Sequence, residues 1–275
     1  MSGPRPLDPR LTPANGRVAA ERLRGIVGSP LYVAGDRARV AVPVADLDGA
    51  PGGTRDRQLL WGEGVLVYER RDGFAFVEAS RDGYVGYVAE VSLGPPRAPT
   101  HRVAVPATHL YRDDDLKSPD LRHLSFGSLV TVEAEGRRFS ETPEGWVPRA
   151  HLRPLDRPFA DPVAAAQMLF GVPYLWGGNS VLGLDCSGLV QAAWLAAGRA
   201  CPGDSDLQRA LGGEAQGPAR RGDLLFWPGH VAIAVDGETL IHANAHRMAV
   251  SYEGIAQAEA RIRAQEGAGV IARRR

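Results

Sequence analysis

Cysteine is scarce in this chain, with only Cys186 and Cys201 in 275 residues. Two thiols do not make a disulfide framework, and these two would flank a predicted helix rather than meet across a turn. Charge of one sign is lacking too: Lys plus Arg and Asp plus Glu both number 32. No global field therefore selects nucleic acid or an anionic membrane as partner. No apolar run approaches membrane-spanning length, and the opening residues MSGPRPLDPR lack the charged-then-apolar order of a secretory signal. These absences lead to the expectation of a soluble, cytoplasmic protein that uses neither nucleic acid nor membrane. The length leaves ample material for two or three domains with buried cores.

The text of the chain changes along its length. Residues 1–35 form an N-terminal extension, rich in Pro and Arg at first, with a short amphipathic run over 18–24 that predicts a helix. From Arg39 onward, alternating β-branched residues punctuated by Gly and Asp-Gly predict strands and turns. The pentapeptide RVAVP occurs at 39–43 and again at 102–106. Leu59, Trp61, Gly62, Val65 and Val67 then answer at constant offset to Leu124, Phe126, Gly127, Val130 and Val132. Gly86, Tyr87, Val88 and Leu93 match Gly145, Trp146, Val147 and Leu152 in the same way. A repeat of roughly 55–60 residues with several short strands predicts paired small barrels, the shared apolar positions being core. Two segments, 94–100 and 153–162, read as linkers.

The last region switches to α/β writing. Asp161, Pro162 and a run closed by Gly171 read as cap, helix start, helix and stop. Leu189, Val190, Ala193, Trp194 and Ala197 give a helical apolar face over 187–197, and Ser205 with Gln208 resembles a capping box. Strands are predicted over 224–227, 230–235, 239–243 and 250–252.

Cys186 falls at the first turn of the 187–197 helix, in YLWGGNSVLGLDCSGLVQAAW. Unpaired N–H groups and the helix dipole there favour thiolate over thiol. Most free cysteines simply pack in a core, and Cys201 is read as such a passenger. The neighbours of Cys186 argue otherwise: Asp185 suits an N-cap, Gly188 permits close backbone approach, and the Gly177-Gly178 turn leaves room for substrate. His230 opens a strand and shares a face with Ala232 and Ala234, small residues that predict a hollow. His242 reaches that face only if the hairpin loop is the three residues 236–238. Val235 then pairs with Thr239, and His242 lies opposite Ala232. A loop of two or four residues puts His242 on the other face.

Residues Tyr174–Trp194 with Asp185-Cys186-Ser187-Gly188, the run GDLLFWPGHVAIAV at 222–235, and His242 together resemble the NlpC-type family of papain-like cell-wall cysteine peptidases. The repeated β units are similar to the bacterial SH3-like domains attached to such enzymes. The resemblance implies an α+β chain: SH3-like domains at 36–96 and 100–155, then a papain-like NlpC catalytic domain at 160–275. It implies Cys186 as nucleophile, His230 as general base and acid, and His242 as the residue orienting His230. Tyr174 matches a tyrosine that supports the oxyanion, and Asp185 and Ser187 match positions that contact the peptide. From the first SH3-like domain it implies an acid and a tyrosine receiving the free amino group of L-alanine, which Glu63 and Tyr84 fit. Glu63 has its own argument, since its repeat partner is Ser128 and the barrel does not need the acid.

The expected function is cleavage of the γ-D-glutamyl–diamino acid bond in small murein peptides with a free L-Ala end, in recycling of wall fragments. No metal and no cofactor are expected, and a monomer is assumed. A decayed peptide-binding protein and a related thiol amidase or acyltransferase are the competing readings.

Overall fold

The computed structural model describes residues 7–275. Residues 36–94 form a curled seven-stranded sheet in the order 55–60, 44–48, 85–89, 74–79, 64–71, 36–40, 93–94. The second unit, 101–154, repeats the plan in a five-stranded and a three-stranded sheet. The repeat pattern is a core pattern in both units. Val40, Leu47, Leu59, Val65 and Val88 are buried in the first, and Val103, Leu110, Leu124, Val130 and Val147 in the second.

The aromatic position of the repeat behaves differently. Trp61 leaves its own unit and packs among Val103, Leu110, Leu124 and Val147 of the second. Its counterpart Phe126 leaves the second unit and joins the core of the C-terminal domain, 6.0 Å from Phe159 ring to ring. Each unit thus plugs the next, and burying rings of this size contributes roughly 2–3 kcal/mol apiece.

The extension is not the helix expected over 18–24. Val18–Ala20 is a strand paired in parallel with Leu31–Val33, followed by a 3-10 turn at Glu21–Leu23. Val18, Ala19 and Ala20 are all buried, and the strand packs on Tyr68, Phe76 and Val85.

The C-terminal domain is a five-stranded antiparallel sheet, ordered 249–254, 239–244, 230–234, 224–227, 272–274. Helix α1 (Pro162–Gln167) starts as predicted, with Asp161 accepting from the Val163 N–H. Helix α2 (Cys186–Ala196) lays Leu189, Val190 and Ala193 against Val231, Ile233 and Ile241. The short α3 (Ser205–Gln208) is capped at Asp204, and the expected capping box does not form. Gln208 instead donates to the carbonyls of Ser187 and Pro202, tying α3 to the start of α2. Helix α4 (Ile255–Glu266) covers the opposite sheet face, where Ala258 and Ile262 fill the space beside Ala232 and Ala234. The expected hollow is therefore a helix seat. Cys201 is a free, buried thiol in the domain core.

The hairpin has the three-residue loop. Val235 N–H donates to Thr239 O at 2.8 Å, and Ile233 pairs with Ile241 and Ala234 with Leu240. His242 then stands opposite Ala232, on the His230 face.

The junction between the two β units turns on Gly62, at φ +80°, where any Cβ would fall on the Leu129 carbonyl oxygen. The Leu129 N–H also donates to Trp61 O at 2.8 Å, which fixes the approach. Gly62→Ala is expected to lose about 1–3 kcal/mol to left-handed strain and more to the clash. Gly73→Ala, at φ +81° with no atom within 4 Å of the added carbon, carries the strain alone. Thermal unfolding of the two variants should show the larger loss for Gly62→Ala, and equal losses would show that the junction yields freely.

Candidate active site

Asp185 fixes the entry to α2. Its Oδ1 accepts from Gly188 N–H at 2.6 Å and from Ser187 Oγ at 2.9 Å, and its Oδ2 from Gly177 N–H at 3.0 Å. Gly188 has to be glycine, because a Cβ would meet the Gly178 carbonyl. One carboxylate thus caps the helix and closes the preceding turn, leaving Cys186 as the first helical residue. Ser187 lines the cavity over Cys186, its hydroxyl donating to Asp185 and accepting from Arg57.

Cys186 is 7% exposed. Its Sγ faces the backbone on both sides of His230, lying 3.9 Å from Gly229 O and within reach of the Val231 N–H. Burial, then the neighbouring Asp185 carboxylate, pushes the thiol up to about 12, against the Val231 and Ser187 amides and Arg57. The sequence position favoured a thiolate; in the folded site desolvation and Asp185 win, and the resting group is a thiol.

His230 Nε2 lies 2.9 Å from His242 Nδ1, the rings meeting edge to face at 63°. His242 is fully buried, and its Nε2 is 3.1 Å from Glu253 Oε2. That contact lies off the hydrogen-bond line, so it acts chiefly through charge. Arg261 holds Glu253 with two bonds of 2.9 and 2.8 Å. The carboxylate assigns the tautomers: His242 keeps its proton on Nε2 toward Glu253, its Nδ1 accepts, and His230 donates from Nε2. His230 Nδ1 is then unprotonated, as a general base requires. Burial pushes His230 down to about 3 and His242 down to about 4, so both rings are neutral at rest.

A cavity of about 230 Å³ opens over Cys186. The C-terminal domain supplies Tyr174, Trp176, Asp185 and Gly229; α3 and its cap add Asp204 and Asp206. The first β domain supplies Asp56 and Tyr84, and the extension supplies Arg10. Tyr84 is buried, with its hydroxyl 3.1 Å from Asp204 Oδ2. Burial pushes the Tyr174 hydroxyl up to about 12, with the nearby Cys186 second, so it stays a donor.

Glu63 is a correction. It lies in a different cavity, behind the far half of α2, beside Ala192 and Leu195. Its oxygens take Arg81 Nη1 at 2.8 and 3.0 Å and the Leu60 N–H at 3.0 Å. The acid is absent from the second repeat because it serves a buried arginine of the first, not a substrate. The repeat comparison carried a better signal at the same offset, since Asp56 corresponds to Leu121. Arg57, Asp204 and Glu253 had no such signal; strand and loop patterns do not tell which charged residues turn inward.

Residues 171–263 match the NlpC/P60 family, and residues 48–93 match the bacterial dipeptidyl-peptidase Sh3 domain. Over 211 residues the chain is 29% identical to a gamma-D-glutamyl-L-lysine dipeptidyl-peptidase of Bacillus subtilis (strain 168), covering 68% of this chain and 71% of that protein. It is 38% identical over 84 residues to dipeptidyl-peptidase 6 of Lysinibacillus sphaericus, covering 30% of this chain and 31% of the other. Among solved structures, an NlpC/P60 family protein from Bacillus cereus ATCC 10987 aligns with a TM-score of 0.73 at 20% identity, covering 87% of this chain and 99% of that one. That likeness is one of fold.

Two outcomes are expected. Glu253→Gln removes the charge that fixes the His242 tautomer, and kcat should fall about 10–100-fold with KM little changed; steady-state kinetics check this, and an unaltered kcat would remove Glu253 from the relay. The second concerns acid. His230 and His242 have folded pKa values below their ordinary 6.5, so the unfolded chain binds protons that the folded pair refuses. Their contribution to stability is present above about 6.5 and is lost as pH falls toward 4 and then 3. Melting temperature should drop across that window, and His242→Asn should flatten the drop.

Proposed function

We propose, from the premise that the chain is a cysteine peptidase with an NlpC/P60 domain behind a bacterial dipeptidyl-peptidase SH3 domain, that it cuts the γ-D-glutamyl–diamino acid bond of murein stem peptides bearing a free amino-terminal L-Ala. One observation carries the substrate end of this reading. Of the carboxylates lining the Cys186 cavity, Asp56 alone has no hydrogen-bond or cationic partner among the described residues. Asp204 is held by Arg10, Arg57 and Tyr84, Asp206 by Arg10, and Asp185 by backbone amides and Ser187. Asp56 is exposed to solvent at the cavity rim, and the desolvation it meets there, then the charge of Asp204, hold its carboxyl above its ordinary range. A substrate ammonium would relieve that like-charge strain, whereas an amide would not. Asp56 takes the role that sequence resemblance gave to Glu63.

Sγ of Cys186 attacks the γ-glutamyl carbonyl while His230 Nδ1 takes the thiol proton. The Cys186 amide and the Tyr174 hydroxyl are the donors for the developing oxyanion. His230 then protonates the departing amine of the diamino acid, and water activated by the same imidazole hydrolyses the thioester. His242 and Glu253 hold the imidazole in register throughout. The small cavity, lined by the extension and the first β domain as well as the C-terminal domain, suits short peptides better than wall polymer. That favours recycling of wall fragments over cutting of the intact wall.

The test is hydrolysis of L-Ala-γ-D-Glu-diaminopimelate, followed as released diamino acid by mass spectrometry. Cys186→Ala should abolish release, and activity surviving in that variant would sink the mechanism. Asp56→Asn should lower kcat/KM about tenfold for the free-amine peptide. It should leave the amino-acetylated peptide at the wild-type rate, and equal losses on both peptides would remove Asp56 as the amine site.

A further inference from the structure

The catalytic cavity does not end at Asp56. A second cavity of about 400 Å³ lies beyond it, under the N-terminal segment, and shares Arg10, Asp56 and Tyr84 with the first. Those residues form a partition. On its far side stand Pro9, Ala14, Phe76, Val85 and Tyr87, with the Phe76 and Tyr87 rings 5.1 Å apart. One side of the partition therefore holds a thiol and carboxylates, and the other a chamber of mixed polarity, with Phe76, Val85 and Tyr87 on its apolar wall and Asn15 on its polar one.

Arg10 is the removable piece of this wall. Tyr84 is buried in the first β domain, and Asp56 sits on its edge strand. Arg10 comes instead from a single 3-10 turn, Pro9–Leu11, with no buried residue of its own. What holds its guanidinium in place is charge. Nε and Nη2 bind Asp8 at 3.0 and 2.7 Å, Nη1 binds Asp204 at 2.7 Å, and both Nη atoms bind Asp206 at 3.0 and 2.8 Å. Asn15 and Arg17, just downstream, clamp the segment to Glu69 of the first β domain.

We propose that Arg10 is a specificity-determining gate, and that the chamber behind it is a latent subsite for an apolar residue added to the amine side of the peptide. The inference rests on the proposed substrate, whose ammonium points at Asp56. A peptide extended there presents an amide to Asp56 and must lever Arg10 away from Asp204 and Asp206, which leaves Asp206 without its cation while Asp204 keeps Arg57 and Tyr84. The intact protein therefore rejects it. Shortening Arg10 joins the two cavities and gives the extra residue an apolar seat against Phe76 and Tyr87.

The experiment compares kcat/KM for L-Ala-γ-D-Glu-diaminopimelate with that for the same peptide carrying L-Phe on its amine. Wild type should prefer the shorter peptide. Arg10→Ala should narrow the preference about tenfold or more, and adding Ala14→Phe to fill the chamber should restore it. An unchanged preference in Arg10→Ala, or a gain that survives Ala14→Phe, overturns the gate. Should Arg10→Ala fail to fold, Asp206→Asn loosens the same guanidinium and should move the preference in the same direction; no movement there counts against the gate equally. If wild type cleaves neither peptide, the proposed reaction fails, and calorimetry of both peptides with Cys186→Ala and Cys186→Ala/Arg10→Ala still reads the gate. Equal discrimination by those two proteins, or no binding to either, overturns it.

Discussion

A fully buried guanidinium joins the two halves of the site. Arg57 belongs to the first β domain, yet its Nη1 reaches Ser187 Oγ at 3.2 Å and Asp204 Oδ1 at 3.1 Å, and its Nη2 reaches Gln191 Oε1 at 3.2 Å. An arginine cannot shed its charge on burial, so it is tolerated only where partners are already in place. Those partners lie on α2, one residue past the nucleophile and one turn further on, and on the cap of α3. Correct seating of the β domain and correct placement of the nucleophile are thus one condition. Asp204 extends it, because the same carboxylate takes Arg10 and Tyr84 and so collects the extension, the β domain and the C-terminal domain at one point.

The second β unit contributes nothing to the lining of the Cys186 cavity, and its part is mechanical. Trp61 is buried in its core, and its own Phe126 is buried in the C-terminal domain. A repeated aromatic used twice as a forward plug makes the chain's order a packing order. Because interiors are close-packed, such plugs leave little freedom for the domains to slide. Arg57 then needs only short-range contacts to finish the alignment.

Much of this was legible in the sequence, and for identifiable reasons. Strand alternation and the repeat located the cores at Val40, Val65, Val103 and Val130, because burial on one face imposes a period of two. The hairpin at 236–238 located His242, because register is a parity question. Cap chemistry located the starts of α1 and α2. The failures share a different cause. Val18–Ala20 looked helical because local spacing cannot anticipate a strand buried on every residue. Glu63 was chosen as an acid unmatched in the second repeat; the same comparison matched Asp56 with Leu121, and only tertiary contacts separate a carboxylate paired to Arg81 from one left unpaired. Glu253 and Arg261 sit on a strand and helix whose approach to His242 no local pattern encodes.

The helix terminus under Cys186 also has a different use from the one its position suggests. With the thiol pushed up to about 12 and His230 down to about 3, the resting pair is neutral, and a pre-formed thiolate–imidazolium pair is disfavoured. In the proposed reaction, proton transfer to His230 accompanies attack, and negative charge passes from sulfur to the carbonyl oxygen. The N–H groups of α2 and of Val231 are held in place before that charge exists, so they reorganise little when it develops. The Val231 and Ser187 amides already favour charge on the sulfur, and the Cys186 amide serves that charge once it reaches the carbonyl oxygen. Asp185 fits the same logic. It raises the cost of a standing thiolate while its bonds to Gly177 and Gly188 hold the backbone that receives the charge. The carboxylate that quiets the resting thiol is the one that shapes the reacting site.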